Sequence, residues 1–343
     1  MERDPYGLQR LYYRPSGSAG RRLRALVSEG EARLDPVGVG FAFGEIAETD
    51  HTWIEGIRRV PRGHRLSGTP GAWQIEAMAA PEERRGRGLE RLLLAALDSV
   101  VGRGRRVALA LSGGLDSALL LALLASSFRG SMPAVYVLAP RLPGGADYDE
   151  SSAAVNLARS LELKAIVIEA AEQDFLLGLP ACAALAETPL FNAHPVAKHL
   201  LFEQLAADEI DVVITGDGAD QVFAGAPSEI YLPIVGALAE ASGVTLHCPF
   251  LDEAVIALAA QSPPDPRKTV LREAARGKLP DALVDAPKVP RLVPAIDLSR
   301  FEDIPRFERL AALLGRPLRL DTPRDRTAWT TLSLACEALG ISI

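Results

Sequence analysis

Cysteine is nearly absent from this chain. Its 343 residues include only three, Cys182, Cys248 and Cys336, far apart and with no C-x-x-C pair. That spacing excludes a structural zinc site and a disulfide framework, and a reducing cytoplasm is the expected home. No apolar run reaches about 18 residues without charges or turn residues, so no membrane span is expected. The opening Met1-Glu2-Arg3-Asp4-Pro5 is polar, and no signal peptide is expected there. Internal repeats and low-complexity tails are also missing. Positive charge is in deficit: the net charge is −7 and the pI about 5.4. General nucleic-acid binding is therefore not expected.

What the chain does have is apolar material, 48% of its residues, enough for a sizeable core. Its length suggests two domains, or a large one with a smaller companion. Residues 1–80 read as β-rich, with a short aromatic stretch at Leu11-Tyr12-Tyr13 and glycine turns that include Gly38 and Gly40. A hairpin is expected around Ser67–Gly71. Eighty such residues make a marginal core alone, so the segment should pack on the remainder of the chain. The composition changes at Ala79-Ala80-Pro81-Glu82-Glu83, where Pro81 and the two acids suit a helix start. This is the expected boundary between 1–80 and 81–343.

Beyond it, apolar runs alternate with helical patterns. Strands are expected at 107–111, 134–138, 165–168 and 211–215. Helices are expected at 117–128, 151–161 and 196–207, then at 228–242, 253–261, 266–277 and 327–339. Continuous β-branched runs between helices imply a parallel sheet covered on both faces, an α/β fold with C-terminal helices.

Leu111-Ser112-Gly113-Gly114-Leu115-Asp116-Ser117 falls between the first of these strands and its helix. Such a turn aims backbone N–H groups at the carboxyl edge of the sheet, where ligands bind. Gly113 and Gly114 let the backbone curl around phosphate, and Ser112 and Ser117 add hydroxyls. Asp116 would repel phosphate unless it held a bridging Mg²⁺. The competing reading is a plain Gly-Gly turn with Asp as helix N-cap. No Gly-Lys-[Ser/Thr] follows, which excludes the Walker loop.

The seven-residue string is similar to the signature of the PP-loop ATP pyrophosphatases, which have a Rossmann-like (adenine nucleotide α-hydrolase-like) fold and cleave ATP between its α- and β-phosphates. Other stretches resemble the asparagine synthetases. They are Thr215-Gly216-Asp217-Gly218-Ala219-Asp220-Gln221-Val222-Phe223-Ala224-Gly225, Cys248-Pro249-Phe250-Leu251-Asp252, Lys268 and Arg272 with Leu279-Pro280, and Tyr148-Asp149-Glu150 with Ala154 and Ala158. The resemblance covers about 81–295. Asp4–Leu8, Leu11–Tyr13, Ser28-Glu29 and Thr52–His64 resemble the last part of that family's glutaminase domain. Its amino-terminal cysteine nucleophile has no counterpart here, since Glu2 follows Met1.

The resemblance implies a ligase that uses ATP and Mg²⁺ to convert a carboxylate into an acyl-adenylate, then into an amide. Asp116 and Asp220 would hold the metal. Leu111, Val137 and Gly216 would meet adenine and ribose through their backbones. Lys288 would stabilise charge on the acyl intermediate and pyrophosphate. Lys268 and Arg272, four apart and so expected on one helix face, would reach pyrophosphate or serve as surface charges. Asp217 stands where the family has Glu, a substrate-side acid near the incoming amine. Gln221 and Ala226 replace a family Glu and Tyr, which points to altered specificity or reduced activity. Asp252 reads as the cap of helix 253–261. His194, His199 and Cys182 show no partner pattern. The expected partners are a small-molecule carboxylate with ammonia or an amine, a separate glutaminase or a peptide substrate, and a second copy pairing through the sheet edge of 1–80. The alternatives are an amide-closing ligase of the β-lactam synthetase or lasso-cyclase type, and a non-catalytic nucleotide-binding protein.

Overall fold

The computed structural model describes residues 1–27, 32–80, 88–287 and 293–343. The expected helix start at Pro81–Glu83 lies outside the described residues, as do Ser28 and Glu29. In the N-terminal segment β1 (Tyr12–Tyr13) pairs antiparallel with β2 (Ala19–Gly20). Two short helices follow, α1 (Leu23–Val27) and α2 (Pro36–Ala42), and β3 (Arg58–Arg59) returns to the other side of β1. The expected hairpin forms from β4 (His64–Ser67) and β5 (Gln74–Ala77). Gly38 and Gly40 lie in α2 rather than in turns. Asp35 caps that helix through the amides of Val37 and Gly38. A Cβ at Gly38 would stand 1.8 Å from the Thr52 carbonyl oxygen, so the glycine serves close packing.

Strands and helices then alternate: α3 (Leu89–Asp98), β6 (Val107–Ala110), α4 (Leu115–Ser127), β7 (Ala134–Arg141), α5 (Ser151–Ser160), β8 (Ala165–Ala171), α6 (Glu172–Ala186), α7 (His194–Ala207) and β9 (Val212–Ile214). After these come α8 (Ala219–Ala224), α9 (Tyr231–Ala241), β10 (Thr245–His247), α10 (Glu253–Ala259), α11 (Thr269–Ala275), α12 (Asp281–Val284), α13 (Ile304–Leu313) and α14 (Pro323–Ala338). The sheet is parallel throughout, in the order β10-β9-β6-β7-β8. Four strands were expected; β10 is only Thr-Leu-His and carries no apolar run to reveal it.

Although the strands read as continuous apolar runs, their side chains divide between two cores. Val107, Leu109, Val135, Val137, Val212 and Ile214 face the layer holding α3, α4 and α10. Ala108, Tyr136 and Val213 face α6, α7 and α9. Helix α4 is apolar all round because α3, α5 and α11 press it against the sheet. Leu119, Leu120, Leu121, Leu123 and Leu124 have no exposed surface, and each contributes roughly 2 kcal/mol of burial.

The first eighty residues do pack on the remainder of the chain. Tyr12, Trp53 and Ile57 share one apolar cluster with Phe307, Leu310, Trp329 and Leu332 of α13 and α14. The Trp53 indole donates to the Glu187 carbonyl at 2.8 Å. Arg3, only 1% exposed, donates to the Val60 carbonyl and pairs with Glu229 just before α9, both at 2.7 Å. Arg59 shares that carboxylate at 3.6 Å. Among the described residues no helix is long and apolar enough to cross a membrane.

Glu229→Gln should destabilise the protein by roughly 3 kcal/mol, because it removes the counter-charge of the buried Arg3 and the half-buried Arg59. Glu2→Gln at the exposed Arg65 pair should leave stability unchanged within error. Urea unfolding of the two variants against the parent checks both expectations, and equal losses would contradict them.

Candidate active site

Strand β6 sends its chain to β7 on one side and lies against β9 on the other. Connections diverge there, and a crevice opens beyond the strand ends. Two strand-to-helix loops, 111–114 and 215–218, meet in it. A Cβ at Gly216 would stand 3.0 Å from the Ser117 amide and 3.1 Å from the Asp116 Cβ. Gly113 takes φ +78°, a conformation that favours glycine. The Ser117 hydroxyl accepts from the Ser112 amide at 3.1 Å and donates to the Gly114 carbonyl at 3.3 Å, which closes the curl. The N-cap of α4 is Gly114, with no side-chain capping bond. Asp116 is therefore not the helix cap.

The cleft measures about 610 Å³. Leu111, Ser112, Gly113, Gly114, Asp116, Ser117, Val137, Gly216, Asp217, Asp220 and Lys268 all line it. Lys288 lies outside the described residues, while Pro287 just before it lines the cleft.

Lys268 is not on a helix face with Arg272. It precedes α11 in a left-handed conformation, φ 50° and ψ 49°, because the Asp265 carboxylate gathers the amides of Arg267 and Thr269 into a tight turn. From there its ammonium reaches Asp116 at 2.5 Å and Asp220 at 2.9 Å. Arg272 instead donates to the carbonyls of Val284 and Ala286, bracing the approach to Lys288.

Two carboxylates from adjacent loops thus converge on one cation position. Among the described residues no group of three or more His, Cys, Asp or Glu side chains could hold a metal. The protein's share of an Mg²⁺ shell would be these two carboxylates, with phosphate and water oxygens completing it. That donor set fits an Mg²⁺ that arrives with phosphate oxygens.

Asp217 is differently placed. Its carboxylate accepts from Lys198 at 2.8 Å and from the Tyr231 hydroxyl at 3.1 Å. Burial pushes the carboxyl upward, but the Lys198 charge and hydrogen bond outweigh it and hold Asp217 below the usual carboxylate range. Burial, reinforced by Asp217, raises the Tyr231 phenol well above its ordinary value. His194, for which the sequence showed no partner pattern, belongs to the same cluster. Its Nε2 lies 3.2 Å from the Tyr231 hydroxyl and its Nδ1 2.8 Å from that of Tyr148. Ionised Asp217 can only accept. Tyr231 therefore donates to it and can accept from His194 Nε2–H, while the Tyr148 hydroxyl meets His194 Nδ1. His194 and Tyr231 open α7 and α9. Helices that run back down a parallel sheet start at its ligand edge, and that rule would have found both. Asp252 caps α10 through the Ala254 amide, as its segment suggested.

The family model for asparagine synthase matches residues 88–237 and 231–316, well over half of the chain. An amidase of Penicillium rubens, chyE, is 27% identical over 197 residues, which is 51% of this chain and 29% of that protein. This chain thus spans less than a third of that relative's length. NMN synthetase from Francisella tularensis superposes with a TM-score of 0.37 and 16% identity, covering 71% of this chain and 92% of its own. The U34-tRNA thiolase NcsA from Methanococcus maripaludis, solved with its 4Fe-4S cluster, gives 0.31 and 14%, covering 67% and 87%. Scores this low carry no argument about activity.

Lys198→Met leaves the buried Asp217 carboxylate without its counter-ion. In the parent, a depressed pKa gives stability that is present above the unfolded value near 4 and lost as pH falls through the folded value. In the variant, desolvation is unopposed, the folded pKa rises, and the deficit grows with pH. The two proteins should differ little at about pH 3 and by roughly 3 kcal/mol at neutral pH. Urea unfolding across that range tests it, and a pH-independent difference would count against the ion pair.

Proposed function

The chain belongs to the asparagine synthase family, and from that premise we propose that it is an ATP-dependent, AMP-forming carbon–nitrogen ligase. The substrate carboxylate attacks the α-phosphorus of ATP and pyrophosphate leaves. Ammonia or another amine then takes the acyl group from the adenylate, releasing AMP. The observation that carries this reading is the contact between loops 111–117 and 215–220, which brings Asp116, Asp220 and Lys268 into one cluster beside an uncapped helix start.

In this assignment the backbone around Gly113 and Gly114 cradles the polyphosphate, with Ser112 and Ser117 holding the loop in shape. Leu111, Val137 and Gly216 line the adenine and ribose side. Asp116 and Asp220 would hold Mg²⁺, which when bound supplies charge neutralisation to the phosphates. Lys268, and Lys288 following the loop that Arg272 braces, steady pyrophosphate as it forms.

The nitrogen would come from free ammonia, from a separate glutaminase, or from an amine on the substrate. Hydrolysis of an amide by a cysteine of this chain finds no support. Cys182, Cys248 and Cys336 are all buried, and burial raises each thiol, Cys248 and Cys336 to about 12. One observation favours the third source. Both oxygens of Asp217, the acid expected near the incoming amine, are already engaged by Lys198 and Tyr231. An ammonium ion would have to compete with the lysine there, whereas an amine held by the rest of its own molecule would not. That favours amide closure within one substrate, as in the β-lactam synthetases and lasso cyclases.

The test is ATP–pyrophosphate exchange with a panel of carboxylic acids, including amino-bearing ones. The parent should exchange with at least one class of acid, and Asp116→Asn and Asp220→Asn should each lower the rate about 100-fold. Full exchange in both variants would refute the assignment of the two acids.

A further inference from the structure

We propose that Lys268 is a built-in counter-cation: in the nucleotide-free protein its ammonium holds the position between Asp116 and Asp220, so divalent metal enters with ATP and not before it. The inference rests on the reading of the cleft as a Mg·ATP site and adds an order of events to it.

The geometry is specific. One Nζ sits 2.5 Å from Asp116 and 2.9 Å from Asp220, and Lys268 is only 6% exposed. Its backbone is left-handed, a conformation that costs a non-glycine residue free energy and persists only where the surroundings impose it. Here they do. The Lys268 amide donates to the Asp265 carbonyl at 2.8 Å, the Asp265 carboxylate takes the amides on either side of Lys268, and the Asp265 amide is tied to Phe223 of α8. Helix α8 also carries Asp220, so lysine and acid are held to each other through one short turn.

The chemistry turns on charge. Two carboxylates facing one point repel, and the ammonium between them cancels that repulsion with two charge-assisted contacts. Free Mg²⁺ would have to shed water and displace the lysine, leaving a buried ammonium with no anion. A triphosphate changes the balance, because it brings the metal already partly coordinated and offers the displaced ammonium new anionic oxygens. A lysine suits the exchange: its stem is flexible and its charge compact, so Nζ can swing from carboxylate to phosphate while the turn stays fixed. Only a ligand that satisfies both partners shifts the equilibrium.

The measurement is binding of Mn²⁺, as MnCl₂, to nucleotide-free protein by electron paramagnetic resonance, beside binding of Mn·ATP by calorimetry. Wild type should bind free Mn²⁺ weakly and Mn·ATP readily. Lys268→Met should bind free Mn²⁺ about tenfold more tightly or better. Lys268→Arg, which keeps the cation, should stay weak, and adding Asp116→Asn to Lys268→Met should abolish the gain. Circular dichroism checks that each variant is folded. Wild type that binds free Mn²⁺ as tightly as Lys268→Met overturns the counter-cation role alone. Wild type that excludes Mn·ATP as well as free Mn²⁺ overturns the nucleotide reading, and the order of entry with it.

Discussion

The cleft depends on how closely the backbone at Gly216 approaches the first turn of α4. Strands β6 and β9 run parallel with Leu109 opposite Ile214, so they end level and their loops leave the sheet side by side. A Cβ at 216 would crowd the Ser117 amide and the Asp116 Cβ, at 3.0 and 3.1 Å, and would press the two loops a few tenths of an ångström apart. With glycine there, the second loop can lean on the first, and Asp220 in the first turn of α8 comes within one cation's width of Asp116. The apolar all-round burial of α4 serves the same end. A helix fixed on every side by leucines keeps its first turn where the second loop needs it.

The two loops were legible in the sequence because each concentrates its chemistry in one short string whose backbone does the work. The strands were legible for a related reason: their alternation between two cores still leaves unbroken apolar runs. Features that depend on distant residues were not legible. Lys268 and Arg272 have helical spacing, but a side-chain turn at Asp265 holds Lys268 just outside the helix that carries Arg272, and spacing alone does not register a competing turn. Asp217 read as a substrate-side acid near the incoming amine, and its lysine partner lies nineteen residues earlier on α7. His194 and Tyr231 carried no motif; only their position at the start of returning helices marked them.

The N-terminal segment bears on the site although it does not line it. Arg3 and Arg59 grip Glu229, and the Arg62 guanidinium donates to the Ser228 hydroxyl at 2.9 Å. Two residues beyond Glu229, Tyr231 opens α9 and reaches Asp217. The segment therefore fixes the entry of the helix that supplies the tyrosine. Its own core is completed by α13 and α14, so the two ends of the described chain share one apolar cluster.

The acids of the cleft fall into two sets with different freedom. Asp116 and Asp220 keep 23% and 32% of their side-chain surface exposed, while Asp217 keeps 10% and its partner Lys198 17%. Water reaches the outer faces of Asp116 and Asp220, so a ligand can approach them, but Lys268 between them is itself only 6% exposed and leaves only for a ligand that offers its ammonium new anionic oxygens. A counter-ion at a buried carboxylate cannot leave without stranding a charge. Under the proposed reading, the half that holds Lys268 is the one that trades its lysine for a ligand. The other half, where Lys198, Asp217, Tyr231, His194 and Tyr148 satisfy one another, is preset before any substrate arrives. Under the proposed reading, a site divided this way would accept a common nucleotide by exchange and select its acyl partner by fit, because only the preset half has a fixed pattern of donors to match.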